Sequence, residues 1–215
     1  MRKRLLIIFS ILLISTLIGA CGITLSREYE SGEVLVVDDF SDPNLQWDVW
    51  KRQDGSAIAY YEEGLVFIIN SPNIDSVSTL NSTYEDVHLE VIADNLNGLM
   101  NNAFGLVCRY QDEKNYYAFL ISSDGYYGIL RILNGGYAVL NNGKLQYSEV
   151  IAQGQNVNHL RADCVGNQLT LTVNNTQLAQ IEDEVFSDGL IGLTASSFDE
   201  TGVAILFDNF LAIYP

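Results

Sequence analysis

The sequence from Tyr116 to Leu133 is YYAFLISSDGYYGILRIL, with aromatic and β-branched residues on both sides of the pair Asp124-Gly125. Runs of this composition are typical of β-strands. An Asp-Gly pair between two such runs is typical of a tight hairpin, because both residues accept the positive φ angles that the turn needs. The stretch therefore predicts two antiparallel strands joined at Asp124-Gly125.

The length of this turn decides which side chains face the protein core. A two-residue turn places Ser123 opposite Tyr126 and Phe119 opposite Leu130. The predicted core face then carries Tyr117, Phe119, Ile121, Tyr126, Leu130 and Ile132. The other face, which we expect to be half open, carries Tyr116, Ala118, Leu120, Tyr127, Ile129 and Arg131. A shift of one residue would exchange the two faces.

The chain from Val34 to Pro215 shows the same pattern of predicted strands separated by turn residues. It contains no convincing amphipathic helix and no repeat, and short apolar runs alternate with Gly, Asn and Asp. Gly166-Asn167 predicts a second hairpin. We expect one all-β domain over residues 34–215, because about 180 residues are a plausible single unit. The predicted strands are Leu65–Asn70, His88–Ala93, Phe104–Tyr110, Tyr116–Ser122, Tyr126–Leu133, His159–Val165, Gln168–Asn174, Gly189–Ala195 and Val203–Ile213.

The charge of the chain limits its partners. The 215 residues are 48% hydrophobic and 18% charged, as in a globular protein, but 11 lysines and arginines oppose 27 acidic residues, a net charge of −16. Without Arg2, Lys3 and Arg4 the balance is 8 against 27, or −19. A field of this sign repels phosphate backbones and anionic lipid headgroups. We therefore expect no nucleic acid as a partner, and we favour neutral ligands or cations.

The first 20 residues predict a secretory signal. A basic start, Met1 to Arg4, precedes an apolar run from Leu5 to Ala20. A membrane-spanning helix needs roughly 20 apolar residues, so a run of 16 is short for a permanent span. A basic start, an apolar middle and small residues at the end are typical of a signal peptide.

The end of this signal, Leu17-Ile18-Gly19-Ala20-Cys21, resembles a bacterial lipobox. The resemblance implies cleavage before Cys21 and a diacylglyceryl group on its thiol. Residues 21–33 would then be a lipidated N-terminus and polar tether of an extracytoplasmic, membrane-anchored lipoprotein. Buried acyl chains contribute about 0.8 kcal/mol per CH₂ to anchoring. The alternative is an ordinary cleaved signal, but Ile18 stands where that signal prefers a small residue.

Eight short stretches of the domain form an ordered pattern. They are Asp38–Trp47, Phe104–Tyr110, Asn115–Phe119, Asp124–Tyr127, Asn158–Arg161, Leu171–Asn175, Gly189–Leu193 and Phe207–Phe210. In this order they resemble concanavalin A-like lectin/glucanase domains, including laminin-G-like and keto-disaccharide-hydrolase-like members. The resemblance implies a jelly-roll sandwich of two antiparallel sheets. Lectins, hydrolases and adhesion modules all share that fold, so it does not determine function.

Acidic pairs suited to glycoside hydrolysis are not evident in the sequence. A retaining glycosidase needs two carboxyl groups about 5–5.5 Å apart. The laminarinase-type pattern Glu-x-Asp-x-x-Glu is absent, Glu90 and Asp94 have the wrong spacing, and Glu62-Glu63 point to opposite faces. His88 and His159 are expected to be ordinary strand residues. We therefore favour a non-enzymatic protein, and a hydrolase of the keto-disaccharide type is the alternative.

Cys108 and Cys164 are the two cysteines besides Cys21, and both lie in predicted strands. In an oxidising compartment they can form a disulfide, which would contribute roughly 4 kcal/mol in the chain-entropy model. Two separate buried thiols are the alternative, because pairing needs Cα atoms within about 7 Å.

Asp208 interrupts a run that is otherwise apolar on both faces. A carboxylate there must be hydrogen-bonded, paired or bound to a cation. The family resemblance implies a structural Ca²⁺ held by Asp208 and by Asp39, with Asp38 as the alternate ligand. The other interpretation is an aspartate at a β-bulge or on the exposed face.

Tyrosine is abundant, with 12 residues, and aromatic rings can stack on sugars. The predicted register puts Tyr116, Tyr127 and Arg131 on the half-open face, where two rings and one donor would bind a neutral polysaccharide. Packing within the sheets is the competing role for these tyrosines. We therefore favour a carbohydrate-binding module, and a scaffold module would be favoured if that face were filled by apolar side chains.

Overall fold

The protein is described by a computed structural model that covers residues 29–43, 45, 47–62 and 64–215. The predicted signal peptide, Cys21 and the first part of the 21–33 tether lie outside the described residues. The described part contains strands, turns and loops and no helix. Accordingly, none of the described residues forms a helix able to cross a membrane.

The larger sheet has nine antiparallel strands in the order β14-β13-β12-β6-β16-β4-β3-β2, with β1 paired to β16. Its strands are β1 (Val34–Asp38), β2 (Trp50–Lys51), β3 (Ala57–Tyr60), β4 (Leu65–Ile69), β6 (Val87–Asn95), β12 (Val157–Val165), β13 (Gln168–Val173), β14 (Thr176–Glu182) and β16 (Val203–Ile213).

The smaller sheet has seven antiparallel strands in the order β10-β9-β8-β7-β15-β5, with β11 paired to β9. Its strands are β5 (Ile74–Tyr84), β7 (Asn102–Asp112), β8 (Asn115–Ile121), β9 (Tyr126–Leu133), β10 (Gly136–Val139), β11 (Gln146–Tyr147) and β15 (Gly189–Ser197).

The predicted fold class is confirmed: the chain is a jelly-roll sandwich of two antiparallel sheets. Each strand predicted from the sequence is present, with ends that differ by a few residues. The hairpin at Gly166-Asn167 is also confirmed, because Val165 pairs with Gln168 across a two-residue turn. Gly166 has a φ of +56° there, which a glycine adopts without steric cost.

The predicted register of the Asp124-Gly125 hairpin is wrong by one residue. The amide of Ser122 donates to the carbonyl of Tyr126, so the loop has three residues, and Gly125 takes a φ of +93°. Phe119 consequently pairs with Ile129 instead of Leu130. A three-residue loop with a glycine in the left-handed region is a common alternative to the two-residue turn.

This shift changes the faces of β9 and leaves those of β8 as predicted. Tyr127 and Ile129 join the main core between the sheets, whereas Leu130 and Ile132 lie on the outer face of the smaller sheet. Because side chains alternate along a strand, a one-residue change in register moves the whole set to the opposite face. Tyr126, predicted to be buried, is instead exposed.

The main core lies between the two sheets and includes Cys108 on β7 and Cys164 on β12. These two cysteines form a disulfide with a Cα–Cα distance of 6.8 Å. Since β7 belongs to the smaller sheet and β12 to the larger one, the bond links the two layers of the sandwich.

Arg109 follows Cys108 in β7, and its buried side chain forms hydrogen bonds to three loops between strands. Its guanidinium donates to the carbonyls of Glu85, Gly166 and Phe186, at 2.6–3.1 Å. Asp86 lies 3.5 Å from the same guanidinium. These carbonyls belong to the β5–β6, β12–β13 and β14–β15 connections, so one side chain fixes three loops at one end of the sandwich. Burial lowers the pKa of Arg109.

Candidate functional site

The outer face of the smaller sheet is concave. The edge strands β10 and β5 are separated by five strand intervals, about 24 Å in a flat sheet. Nevertheless, the Tyr137 hydroxyl on β10 donates a hydrogen bond to the Asp75 carboxylate on β5. Two side chains can meet over this span only if the sheet curls and brings its edges together above the outer face.

A cleft of about 390 Å³ lies on this concave face, near the β8–β9 hairpin. Its size is at the lower end of the range for small-ligand pockets. Residues of β5, β7, β8, β9, β10 and β15 contribute to it, so both halves of the curled sheet form its walls. The lining residues are Asn73, Asp75, Ala103, Leu120, Ile121, Ser122, Tyr126, Tyr127, Leu130, Tyr137, Val139, Leu145, Ser196, Ser197 and Phe198.

The floor of the cleft is apolar and is formed by central strands of the smaller sheet. Ala103, Leu120 and Leu130 come from three adjacent strands and belong to one buried cluster on the outer face. They lie on the same side because residues paired across neighbouring strands point to the same face of the sheet, and the pairing of β7 with β8 and of β8 with β9 is continuous here. A floor made of central strands is well suited to hold rim groups in fixed positions.

Three aromatic residues stand at the rim. Tyr126 is 42% exposed, Tyr137 is 60% exposed and Phe198 is 38% exposed. The Tyr126 ring contacts the ring of Tyr147 edge-on, with centroids 5.7 Å apart. Gln153 in turn donates to the Tyr147 hydroxyl at 2.7 Å. The Tyr126 ring is therefore partly open to solvent and is supported on one side by Tyr147.

The polar groups of the cleft lie mostly on the β5 and β15 side. They are Asp75, Asn73, Ser196 and Ser197, with Ser122 across the cleft. Asp75 is the acceptor of the bond from Tyr137, and this bond, more than burial, raises the pKa of Tyr137 to about 12. Tyr137 is therefore a neutral hydroxyl at physiological pH.

The structure does not gather Tyr116, Tyr127 and Arg131 on one face, so the predicted cluster is wrong. Tyr116 lies on the outer face, buried in the apolar cluster beside the cleft, where burial raises its pKa. Tyr127 and Arg131 lie on β9 positions that face the core side. The cause is the three-residue loop, which turned β9 over relative to the predicted register. Of the three, Tyr127 contacts the cleft, at its inner wall.

Arg131 has a structural partner in Asp183. Its Nη1 donates to the Asp183 carboxylate, which also accepts from the Tyr117 hydroxyl and, at 3.1 Å, from the Val185 amide. Burial, followed by the bond to Asp183, raises the pKa of Tyr117 to about 12. This network fixes the β14–β15 connection against the smaller sheet.

The predicted calcium ligands have local hydrogen-bond partners. Asp39 accepts from the amide and hydroxyl of Ser41, and these bonds lower its pKa. Asp208 accepts from the amide and side chain of Asn209, at 2.6 and 2.8 Å. Asp38 accepts from the Phe40 amide and the Trp47 indole, both at 2.8 Å.

The strand register is irregular between Asp208 and Leu211, which corresponds to the alternative interpretation of an aspartate at a bulge. The described residues contain no group of three or more His, Cys, Asp or Glu that could hold a metal ion. Calcium binding by Asp39 and Asp208 stays a prediction.

The acidic and histidine residues considered for catalysis lie on the other sheet. His88 contacts Asp163 at 2.6 Å, and His159 contacts Glu90 at 3.2 Å, in a ladder along β6 and β12. Arg161 joins the same ladder through Asp163. None of these side chains lines the cleft. Glu63 lies outside the described residues.

Asp75, Tyr137 and Phe198 were not predicted as site residues. The β9–β10 hairpin had a recognisable signal in Asn134-Gly135, where both residues take positive φ and Leu133 pairs with Gly136. No local pattern, however, indicates that two edge strands meet across a sheet.

No family model matches this sequence, and no curated protein matches it. The fold, by contrast, is shared with many solved structures. Three of these structures are only 10–19% identical in sequence to this chain, so the similarity concerns the fold alone.

The class defined by this fold is the concanavalin A-like and galectin-like β-sandwich. The carbohydrate-binding module CBM66 from Bacillus subtilis is 19% identical, with a TM-score of 0.62 over 78% of this chain and 94% of that chain. A Bacillus subtilis protein of unknown function with a galectin-like fold is 10% identical, with a TM-score of 0.62 over 87% and 98%. The Bacillus licheniformis β-glucanase is 11% identical, with a TM-score of 0.60 over 86% and 100%.

Proposed function

We propose that this protein is a carbohydrate-binding module and that the concave cleft binds a neutral glycan. The observation that carries the proposal is the combination of exposed rings at the rim, Tyr126, Tyr137 and Phe198, with a carboxylate and hydroxyls beside them. Aromatic rings stack on the apolar faces of sugar rings, and a few fixed polar groups select hydroxyls.

Charge supports a neutral ligand. The chain carries a net charge of −16, and the cleft contributes the carboxylate of Asp75 and no cationic side chain among its described lining residues. A polyanion would be repelled both by the overall field and by Asp75. The fold is one that the solved carbohydrate-binding module and β-glucanase also use, which agrees with the proposal.

Binding without hydrolysis is the simpler role for this cleft. The usual glycosidase mechanism needs two carboxyl groups that flank the scissile bond. Among the described residues that line the cleft, Asp75 is the one carboxylate, and its partner is the Tyr137 hydroxyl.

The apolar floor favours a second candidate, an interaction module that docks an apolar side chain of another protein. Ala103, Leu120 and Leu130 form a continuous floor on which such a side chain could pack. A cleft with an apolar floor can accept an apolar side chain of a partner. The glycan is favoured because three rings at the rim offer stacking surfaces.

Replacement of Tyr126 by alanine should weaken glycan binding by about ten- to a hundredfold, or 1–3 kcal/mol, by analogy with base stacking on aromatics. Isothermal titration or affinity electrophoresis with three neutral polysaccharides, a β-glucan, a xylan and a mannan, measures the effect. Alginate serves as the polyanion, for which no binding is expected.

Tyr61→Ala is the matched control, because Tyr61 is 52% exposed and does not line the cleft. It should bind like the unaltered protein. Full binding by Tyr126→Ala would place the site elsewhere. Lack of binding to every glycan would favour the interaction module.

We further propose that the module is attached to a membrane through a lipid on Cys21, on the outer side of the cytoplasmic membrane. The support is the lipobox-like sequence Leu17–Cys21 after an apolar run. A lipid at Cys21 would leave the domain at the membrane surface, joined by residues 22–33.

Cys21→Ser should therefore abolish lipid attachment and leave an uncleaved precursor that migrates more slowly. Labelling of cells with a radioactive or clickable fatty acid, followed by gel electrophoresis, measures both effects. Cys108→Ser, in which Cys21 is retained, should still incorporate the lipid. Normal processing and labelling of the Cys21 variant would exclude the lipoprotein assignment.

A further inference from the structure

We propose that the hydrogen bond between Tyr137 and Asp75 closes the cleft on one side, so that it binds the end of a glycan chain and excludes internal segments. This inference rests on the proposed carbohydrate binding and adds the mode of recognition. The bond joins the two edge strands of the smaller sheet over its concave face.

The bridge forms one boundary of the cleft. Tyr137 and Asp75 both line it, whereas Val77, Val107 and Ala118, which lie on the same face of the sheet, do not. Register pairs confirm the shared face: Val107 pairs with Ala118, and Ala118 pairs with Leu130 of the cleft floor. The open space therefore stops at the line between the two edges.

The face beyond the boundary is filled. Val107, Ala118 and Tyr116 are between 0% and 4% exposed, although they lie on an outer face of the sandwich. The Tyr116 ring packs against the ring of Tyr110, with centroids 5.4 Å apart. A polysaccharide that ran along the concave face would have to displace this packed cluster as well as the bridge.

The chemistry of the boundary suits a chain end. The Asp75 carboxylate accepts hydrogen bonds, and its partner Tyr137 is a neutral hydroxyl. A terminal sugar unit carries a hydroxyl at the position that an internal unit uses for its glycosidic linkage. That additional hydroxyl can donate to a carboxylate, and a hydrogen bond to a charged group is among the stronger ones in proteins.

The test counts binding sites. Linear xylan, β-glucan and mannan are each compared, at constant mass, before and after partial hydrolysis that increases the number of chain ends. If the site binds ends, the amount of protein bound at saturation rises by the same factor as the number of ends. If it binds internal segments, the amount bound stays constant.

Tyr137→Ala removes the ring that forms the boundary together with one of the three stacking rings. It should therefore bind more weakly per site, and its capacity at saturation should follow polysaccharide mass. Tyr137→Phe keeps the ring but loses the bond to Asp75, and should show an intermediate dependence on ends. Tyr61→Ala is the control and should retain end-dependent binding. Circular dichroism checks that each variant is folded.

Two results would overturn the inference while leaving carbohydrate binding in place. One is a capacity of the unaltered protein that follows mass. The other is end-dependent binding that persists unchanged in Tyr137→Ala. Failure of the unaltered protein to bind any of the three glycans would instead contradict the proposed function itself.

Discussion

Loss of the Cys108–Cys164 disulfide should lower the free energy of unfolding by about 4 kcal/mol, because the bond closes a loop of more than 50 residues in the unfolded chain. In a domain of this size, such a change lowers the melting temperature by about 8–16 °C. The bond also joins β7 of the smaller sheet to β12 of the larger one, so its loss removes a disulfide cross-link between the layers in the described structure. Calorimetry with and without a reducing agent measures the effect.

The double variant Cys108→Ala/Cys164→Ala is the control, since its melting temperature should not respond to the reducing agent. The assay uses protein that has Cys21 replaced by Ser, so that only these two thiols can titrate. Two free thiols in unreduced, denatured protein would contradict the prediction.

Replacement of Arg109 by methionine should destabilise the domain by about 3–5 kcal/mol, because it removes the four hydrogen bonds of a buried side chain, and each such bond contributes about 0.5–1.5 kcal/mol. The carbonyls of Glu85, Gly166 and Phe186 would lose their donor together. Urea denaturation followed by tryptophan fluorescence measures the free energy of unfolding. Arg109→Lys should be intermediate, since an ammonium group lacks the planar set of donors.

Arg161→Met is the matched control. Arg161 also contacts carboxylates, but its side chain is 38% exposed, and exposed ion pairs typically contribute about 0–1 kcal/mol. A loss below about 1 kcal/mol is therefore expected for this variant. Equal stability losses at Arg109 and Arg161 would show that the three carbonyls find other donors, such as water.

The fold could be predicted from the sequence because the strongest strands carry their own signals. In β8 and β9, apolar and aromatic residues fill both faces, and turn residues separate the strands. Their relative register could not be predicted, because Ser123, Asp124 and Gly125 are compatible with loops of two or three residues. One residue of loop length decided which side of β9 faces the core.

The cleft could not be predicted for a different reason. Asp75 and Tyr137 are 62 residues apart and lie on strands whose sequences are polar or short. Their meeting depends on the curvature of the whole smaller sheet, a property that no single strand encodes. Tyr116, which the sequence placed on the half-open face, is instead buried.

The position of β16 has a consequence for how the protein is made. β16 pairs with β1, β4 and β6, yet Phe207 of β16 meets its partner Ala93 only after more than 100 further residues have been synthesised. Until Val203–Ile213 emerge, the strands that await them keep unpaired edges, which are prone to aggregation. Pairing over such sequence distances also slows folding. We therefore expect the larger sheet to close only after β16 has been synthesised.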